Sequence, residues 1–128
     1  MSQTLIQFAL IAAGGAVGGI GRVAVASAFD RRTGARFPWG TLVVNVTGSA
    51  AIGVGWALSA GGGMLADALF VGVIGSFTTV STFALQTLSL GQSGRVGAAI
   101  ANAGLSVGLC LIAAAAGLKI GSLMIGGP

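Results

Sequence analysis

This chain has no histidine, no tyrosine and no glutamate, and its acidic residues are Asp30 and Asp67 alone. Charge of either sign is scarce, 6% of residues, where a soluble domain carries about 25%. With Lys119 the sole lysine, no His, Glu, Tyr or Lys stands at membrane depth to act as acid or base, so the chain is not expected to be an enzyme. The same lack argues against proton-coupled transport, which depends on intramembrane carboxylates or histidines, and so against a small multidrug exporter. One cysteine, Cys110, cannot form an internal disulfide, and alone it cannot build a metal cluster. It reads as a small apolar packing residue. The net charge of +4 comes from a handful of basic residues, mostly in loops, and gives no reason to expect nucleic-acid binding.

What is present is apolar bulk: 55% hydrophobic residues and 24 glycines in 128 positions. About 20 apolar residues cross the ~30 Å hydrocarbon core of a bilayer, and charges and turn residues cut this chain into four such spans. They cover about residues 5–28, 38–60, 64–90 and 96–118, with Ile125 as an alternative end for the fourth, in a single four-helix membrane domain spanning 1–128. The loop Asp30–Arg36 joins the first two, Gly61-Gly62-Gly63 separates the second from the third, and Gly91–Arg95 precedes the fourth. Met1 to Gly19 lacks the positively charged start of a signal peptide, and its apolar run continues past any cleavage point, so a retained helix is expected. Pro38 suits the first turn of the second helix and Trp39 the interfacial belt. Gly14, Gly15, Gly18 and Gly19 offer one face of the first helix to close approach by another backbone. Arg22, near the end of that helix, fits either a snorkelling anchor or a buried structural role binding loop carbonyls.

The densest information lies in Gly75-Ser76-Phe77-Thr78-Thr79-Val80-Ser81-Thr82-Phe83, which sets five hydroxyls within seven positions in mid-span. Against lipid these are poor choices. They suit a helix–helix contact glued by small polar residues, or a narrow wet path. Asn45 in the second helix has the same two readings, an interhelical hydrogen bond or donors facing an anion path. On the fourth helix Asn102, Ser106 and Cys110 recur every four residues and share one narrow stripe. Amides, hydroxyls and the partly positive edges of phenylalanine rings could replace the hydration shell of a small anion without a fixed charge to trap it. A glycine-associated break at mid-depth would also free carbonyls able to hold a cation.

Gly40-Thr41-Leu42-Val43-Val44-Asn45, followed by Gly75 and by Thr78-Thr79-Val80-Ser81-Thr82-Phe83, resembles the Fluc-type (CrcB) fluoride channel family. The likeness covers nearly the whole chain, including a glycine-rich first helix ending in Gly21-Arg22. It implies an all-α membrane protein of four transmembrane helices with a broken third helix, assembling as an antiparallel dimer. It further implies two passive, fluoride-selective pores along the subunit interface, exporting cytoplasmic fluoride across the plasma (inner) membrane. By that resemblance Asn45 is the pore asparagine, Ser81 and Thr82 line the path, and Phe83 belongs to an aromatic box. Asn102, Ser106 and Cys110 carry the fourth-helix track. The backbone carbonyls of Gly75 and Thr78 hold a structural sodium ion, and Arg22 closes the first helix. Two positions depart from the pattern. Val80 stands where a phenylalanine is usual, so half the box is absent, and Gln86 stands where an acidic residue is common.

Arg31, Arg32, Arg36 and Arg95 lie on loops at the same membrane side, opposed by Lys119 and the N-terminal amine. The positive-inside rule then puts the first and third loops in the cytoplasm and both termini outside. A bias this strong is unusual for a chain meant to insert both ways. A homodimer is the default expectation, with a heterodimer of oppositely oriented chains as the alternative. A small subunit that only packs against a larger complex is a further alternative, though simple packing does not require donors concentrated at one depth.

Overall fold

The computed structural model describes residues 2–34, 36–58 and 63–126. Among these, all regular structure is helical: α1 (Ser2–Thr33), α2 (Trp39–Leu58), α3 (Met64–Asp67), a π-helical segment (Ala68–Ile74), α4 (Gly75–Phe77), α5 (Val80–Gln92) and α6 (Val96–Met124). Four stretches are long and apolar enough to cross a membrane, Ser2–Thr33, Trp39–Leu58, Met64–Gln92 and Val96–Met124. The third is interrupted midway, where Thr78 (φ −77°, ψ 158°) and Thr79 (φ −151°, ψ 123°) leave helical geometry. The expected break in the third helix is therefore present.

One helix outruns its expected end. α1 continues past residue 28 to Thr33 because nothing stops its hydrogen-bond ladder before Gly34. Gly34 adopts φ +75°, and its N–H closes the helix on the Asp30 carbonyl at 3.0 Å. Asp30, expected in the loop, thus sits in the last helical turn, and its Oδ1 accepts the Gly40 N–H at 3.0 Å. That carboxylate fills one of the orphan donors at the start of α2, where negative charge is also favoured by the helix dipole. α6 runs beyond residue 118 to Met124, close to the longer of its two expected ends at Ile125. The expected end of the second span at Ala60 and the Gly61-Gly62 part of the break lie outside the described residues.

Burial is inverted relative to a soluble protein. Trp56 is 78% exposed and Ile20 71%, whereas the buried apolar side chains are Leu42, Val44, Ala68 and Leu90. Lipid is as apolar as leucine, so helices associate here through close backbone approach at small residues. α2 packs chiefly on α6. A Cβ on Gly53 would strike the Ala114 carbonyl, and one on Gly117 the Ala50 carbonyl. α1 packs chiefly on the π-helical segment. Gly14 faces the Ala68 carbonyl, where a Cβ would sit 2.5 Å from its oxygen, and Gly18 faces the Val73 carbonyl still more tightly. Gly19 meets nothing within 4 Å, so three of the four expected contact glycines serve this seam, Gly15 against the Ser76 hydroxyl.

Gly18→Ala is accordingly expected to lower the stability of the folded chain in detergent by about 1–3 kcal/mol, the range for overpacking a tight contact. Gly19→Ala is expected to leave it unchanged. Equal melting temperatures for the two variants would contradict this seam.

Candidate functional site

The break between α4 and α5 is where the candidate residues gather. In a continuous helix the Thr79 N–H would donate to the Gly75 carbonyl. Here it donates instead to Asn45 Oδ1 at 2.8 Å, while Asn45 Nδ2 donates to the Thr79 carbonyl at 2.9 Å. One side-chain amide from α2 therefore pairs both backbone groups of a single residue in the break. The reversed amide would oppose donor to donor and acceptor to acceptor, so the geometry fixes which way it points. One N–H of Asn45 is left over, and Asn45 lines the groove described below.

Thr79 is also the N-cap of α5. Its Oγ1 accepts the Thr82 N–H at 3.2 Å, and its hydroxyl donates to Thr82 Oγ1 at 3.1 Å. Ser81 Oγ lies 3.3 Å from the same oxygen. Three hydroxyls are thus clustered at the start of a helix in mid-span, with Ser81 and Thr82 exposed on the isolated chain. On the other side of the break, Thr78 Oγ1 donates back to the Ile74 carbonyl at 3.2 Å, and Arg22 Nη1 makes a long contact of 3.4 Å to the Thr78 carbonyl. Gly48 makes room for Thr78, whose methyl group occupies the space a Cβ there would need. Arg22 does not close the first helix, which continues to Thr33, but lies within α1 and ties it to a carbonyl of the break.

Two cavities meet at this point and a third lies toward the loop end. A groove of about 430 Å3 is lined by Asn45, Thr79, Val80, Phe83, Ser106 and Cys110, together with Thr78, Ser49, Ile52 and Val107. A second cavity, about 220 Å3, has Arg22, Thr41, Thr79, Thr82 and Gln86 in its walls. A third, about 480 Å3, opens between Arg36, Phe37, Ser89, Ser93 and Gln86 at the loop end. Thr79 borders the first two, while Asp30 and Gln86 border the last two. Gln86 Oε1 is buried without a hydrogen-bond partner, which marks a place for a donor that the described residues do not supply.

The structure thus brings Asn45, Val80, Phe83, Ser106 and Cys110 to one groove with Thr78, and Thr82 to the neighbouring cavity with Arg22, with Ser81 joined to both through Thr79. Asn102 stands apart. It is 2% exposed, it lines none of these cavities, and its Nδ2 donates to Thr87 Oγ1 at 2.8 Å. Thr79 and Thr87 are the residues that the sequence reading did not single out. A threonine three residues before another hydroxyl residue, at the head of an apolar run, is an N-cap signal and could have drawn attention to Thr79.

The electrostatics of the break are two-faced. The end of α4 presents carbonyl oxygens, and the start of α5 presents free N–H groups and the positive end of a helix dipole. Among the described residues no group of His, Cys, Asp and Glu is arranged to hold a metal ion, so any cation at the break would rely on backbone oxygens.

Residues 9–118 match the model of the family described as CrcB-like protein, Camphor Resistance (CrcB). The chain belongs to this family. Among relatives, a protein of Magnetococcus marinus named fluoride-specific ion channel FluC is 43% identical over 123 residues, covering 93% of this chain and 100% of the relative. Identically named proteins of Opitutus terrae (48% over 109 residues, 80% and 83% covered) and Thermus thermophilus (40% over 123 residues, 94% and 98% covered) are similar as well. The CrcB match takes in α1 from residue 9, the break and its Asn45 clasp, and most of α6.

For this CrcB chain, Asn45→Ala removes both bonds to Thr79 and is expected to cost about 1–3 kcal/mol for the unsatisfied backbone groups. Amide exchange at Thr79, followed by NMR in detergent, is expected to accelerate. An unchanged exchange rate would show that the clasp does not hold the break.

Proposed function

We propose that this multi-pass membrane protein is a passive, fluoride-selective channel through which cytoplasmic fluoride leaves across the plasma (inner) membrane. The observation that carries this reading is the mid-span break, where free helix N–H groups, the Asn45 amide and the Thr79 and Thr82 hydroxyls border adjoining cavities, with Ser81 bonded to Thr79, and where the one carboxylate on those cavities, Asp30, lies in the last turn of α1 and accepts the Gly40 N–H. The names of the relatives supply the identity of the anion. Neutral donors can strip water from a small anion and release it again, whereas a carboxylate would repel it and a desolvated lysine would hold it. Fluoride enters cells as HF and dissociates inside, so a pathway driven by membrane potential alone suffices for exit.

Two antiparallel copies would complete the site. Val80 is 78% exposed on the single chain, and Ser81 and Thr82 beside it are exposed at a depth where lipid offers hydroxyls no partner. A second chain laid over this face would enclose Asn45, Val80, Ser81, Thr82, Phe83 and Ser106, giving two paths along the interface. Arg31 and Arg32 in the last turn of α1, with Arg36 and Arg95 beyond the helix ends, favour insertion with the first and third loops in the cytoplasm, which supports a heterodimer of oppositely oriented chains as the second reading. Sodium fits the break as a structural ion. The Gly75 carbonyl is released when the Thr79 N–H turns to Asn45, the Thr78 carbonyl carries only the long Arg22 contact, and oxygen donors suit a hard cation. The Gly75 and Thr78 carbonyls of both copies would hold it and tie the chains together.

Liposomes containing the purified chain are expected to release fluoride under a potassium-driven potential, with chloride retained. Release that needed a pH gradient and failed under potential alone would overturn the reading. Dimer stability in detergent is expected to rise with sodium concentration, since a bound ion stabilises the assembly it prefers. Equal stability in sodium and in a large organic cation would remove sodium from the break.

A further inference from the structure

Asn102 is among the two most deeply buried large side chains of the molecule, and the bond from its Nδ2 to Thr87 Oγ1 is the one side-chain hydrogen bond between α6 and α5 among the described residues. Thr87 does not end the chain of contacts. Its own hydroxyl donates to the Phe83 carbonyl at 2.7 Å, one turn back along α5. A threonine that bonds back to the preceding turn has used its single proton, so the Asn102 amide can meet only its lone pair. Asn102, Thr87 and the Phe83 backbone therefore form a directed series, with Phe83 at the groove and Asn102 away from it. Ser106 lies one turn beyond Asn102 on the same stripe of α6 and does line the groove with Phe83. Whatever fixes Asn102 against Thr87 thus also fixes how far Ser106 stands from Phe83 across the path.

We infer that Asn102 and Thr87 are positioning residues: the pair locks the register of α5 on α6, so that Asn102 acts on the anion path through the placement of Phe83 and Ser106 and donates nothing to the anion itself. This rests on the channel reading for its consequence, though not for its geometry. A single side-chain hydrogen bond between two helices, made by a buried amide, is a device for register, because sliding by one residue would leave that amide without a partner.

The experiment compares unmodified protein with Asn102→Leu, Thr87→Val, Thr87→Ser and the Asn102→Leu/Thr87→Val pair, reading fluoride efflux from liposomes and, separately, the 19F signal of 4-fluorophenylalanine placed at position 83, recorded in fluoride-free buffer. Asn102→Leu and Thr87→Val are expected to reduce efflux to the same degree and to shift the position-83 signal alike, with the double variant no worse than either. Thr87→Ser, which keeps the hydroxyl, is expected to retain both. If Asn102→Leu abolishes efflux while Thr87→Val matches the unmodified chain, Asn102 is itself a donor on the path and the inference is overturned. A position-83 signal unmoved by either single variant overturns it equally. Should the unmodified chain release no fluoride, the channel reading fails, and the ring signal alone still decides whether the pair positions Phe83.

Discussion

Inside a bilayer every backbone N–H and C=O must find a partner within the protein, and the rest of this structure follows from how that demand is met at Thr78 and Thr79. A continuous third helix would satisfy it at no cost, but it would present no free donors at mid-depth. Breaking the helix creates the site and leaves orphan groups on both sides. Asn45 pairs both backbone groups of Thr79, the Thr79 side chain caps Thr82, and Arg22 reaches the Thr78 carbonyl. Each of these partners comes from a different part of the chain. The position of α2 and the tail of α1 are therefore coupled to the break, and neither can shift without exposing an unsatisfied group.

Close packing is the second condition, since reach matters when the donors are short side chains. Asn45 spans only two carbons from its backbone, so α2 must lie close to the break, and Gly48 one turn later admits the Thr78 methyl group. α1 approaches the third span through Gly14 and Gly18 against the carbonyls of Ala68 and Val73, within the π-helical run. A π-helix is wider and uncommon, and a short one tends to mark a functional segment because it changes the phase of the residues that follow. Here it lies directly before α4 and the break. The glycine seam and the altered phase together decide which way Gly75, Thr78 and Thr79 point.

Much of this was open to a reading of the residues, and the reasons are specific. The four spans and the contact role of Gly14, Gly15 and Gly18 depend on composition and short-range pattern, which a single chain displays, whereas the broken third helix was expected from the family resemblance. The end of α1 did not follow from hydropathy, because a helix persists beyond the hydrocarbon until a residue such as Gly34 stops it. The Asn45–Thr79 clasp joins residues 34 apart and the Asn102–Thr87 bond residues 15 apart, and no local rule pairs them. Asn102 and Ser106 look equivalent on a helical stripe, yet one is sealed against α5 and the other opens on the groove. A stripe gives direction around a helix. It does not say where along the helix the neighbour stands.

On the channel reading, the balance between holding and releasing an anion follows from the same break. A full positive charge 4 Å away would attract fluoride by about 4 kcal/mol at an effective dielectric constant of 20, enough to lengthen its stay roughly a thousandfold. The half charge at a helix N-terminus contributes about half that, and neutral hydroxyls and amides contribute directional bonds that can be exchanged one at a time. Arg22 is the one permanent cation within reach, and its guanidinium is turned toward the Thr78 carbonyl at the edge of the second cavity. Its field can draw an anion toward the cavity while its nearest bond is occupied by backbone. The device that satisfies the broken helix thereby keeps the strongest charge from becoming a trap, and passage is left to Ser81, Thr82 and the remaining Asn45 N–H.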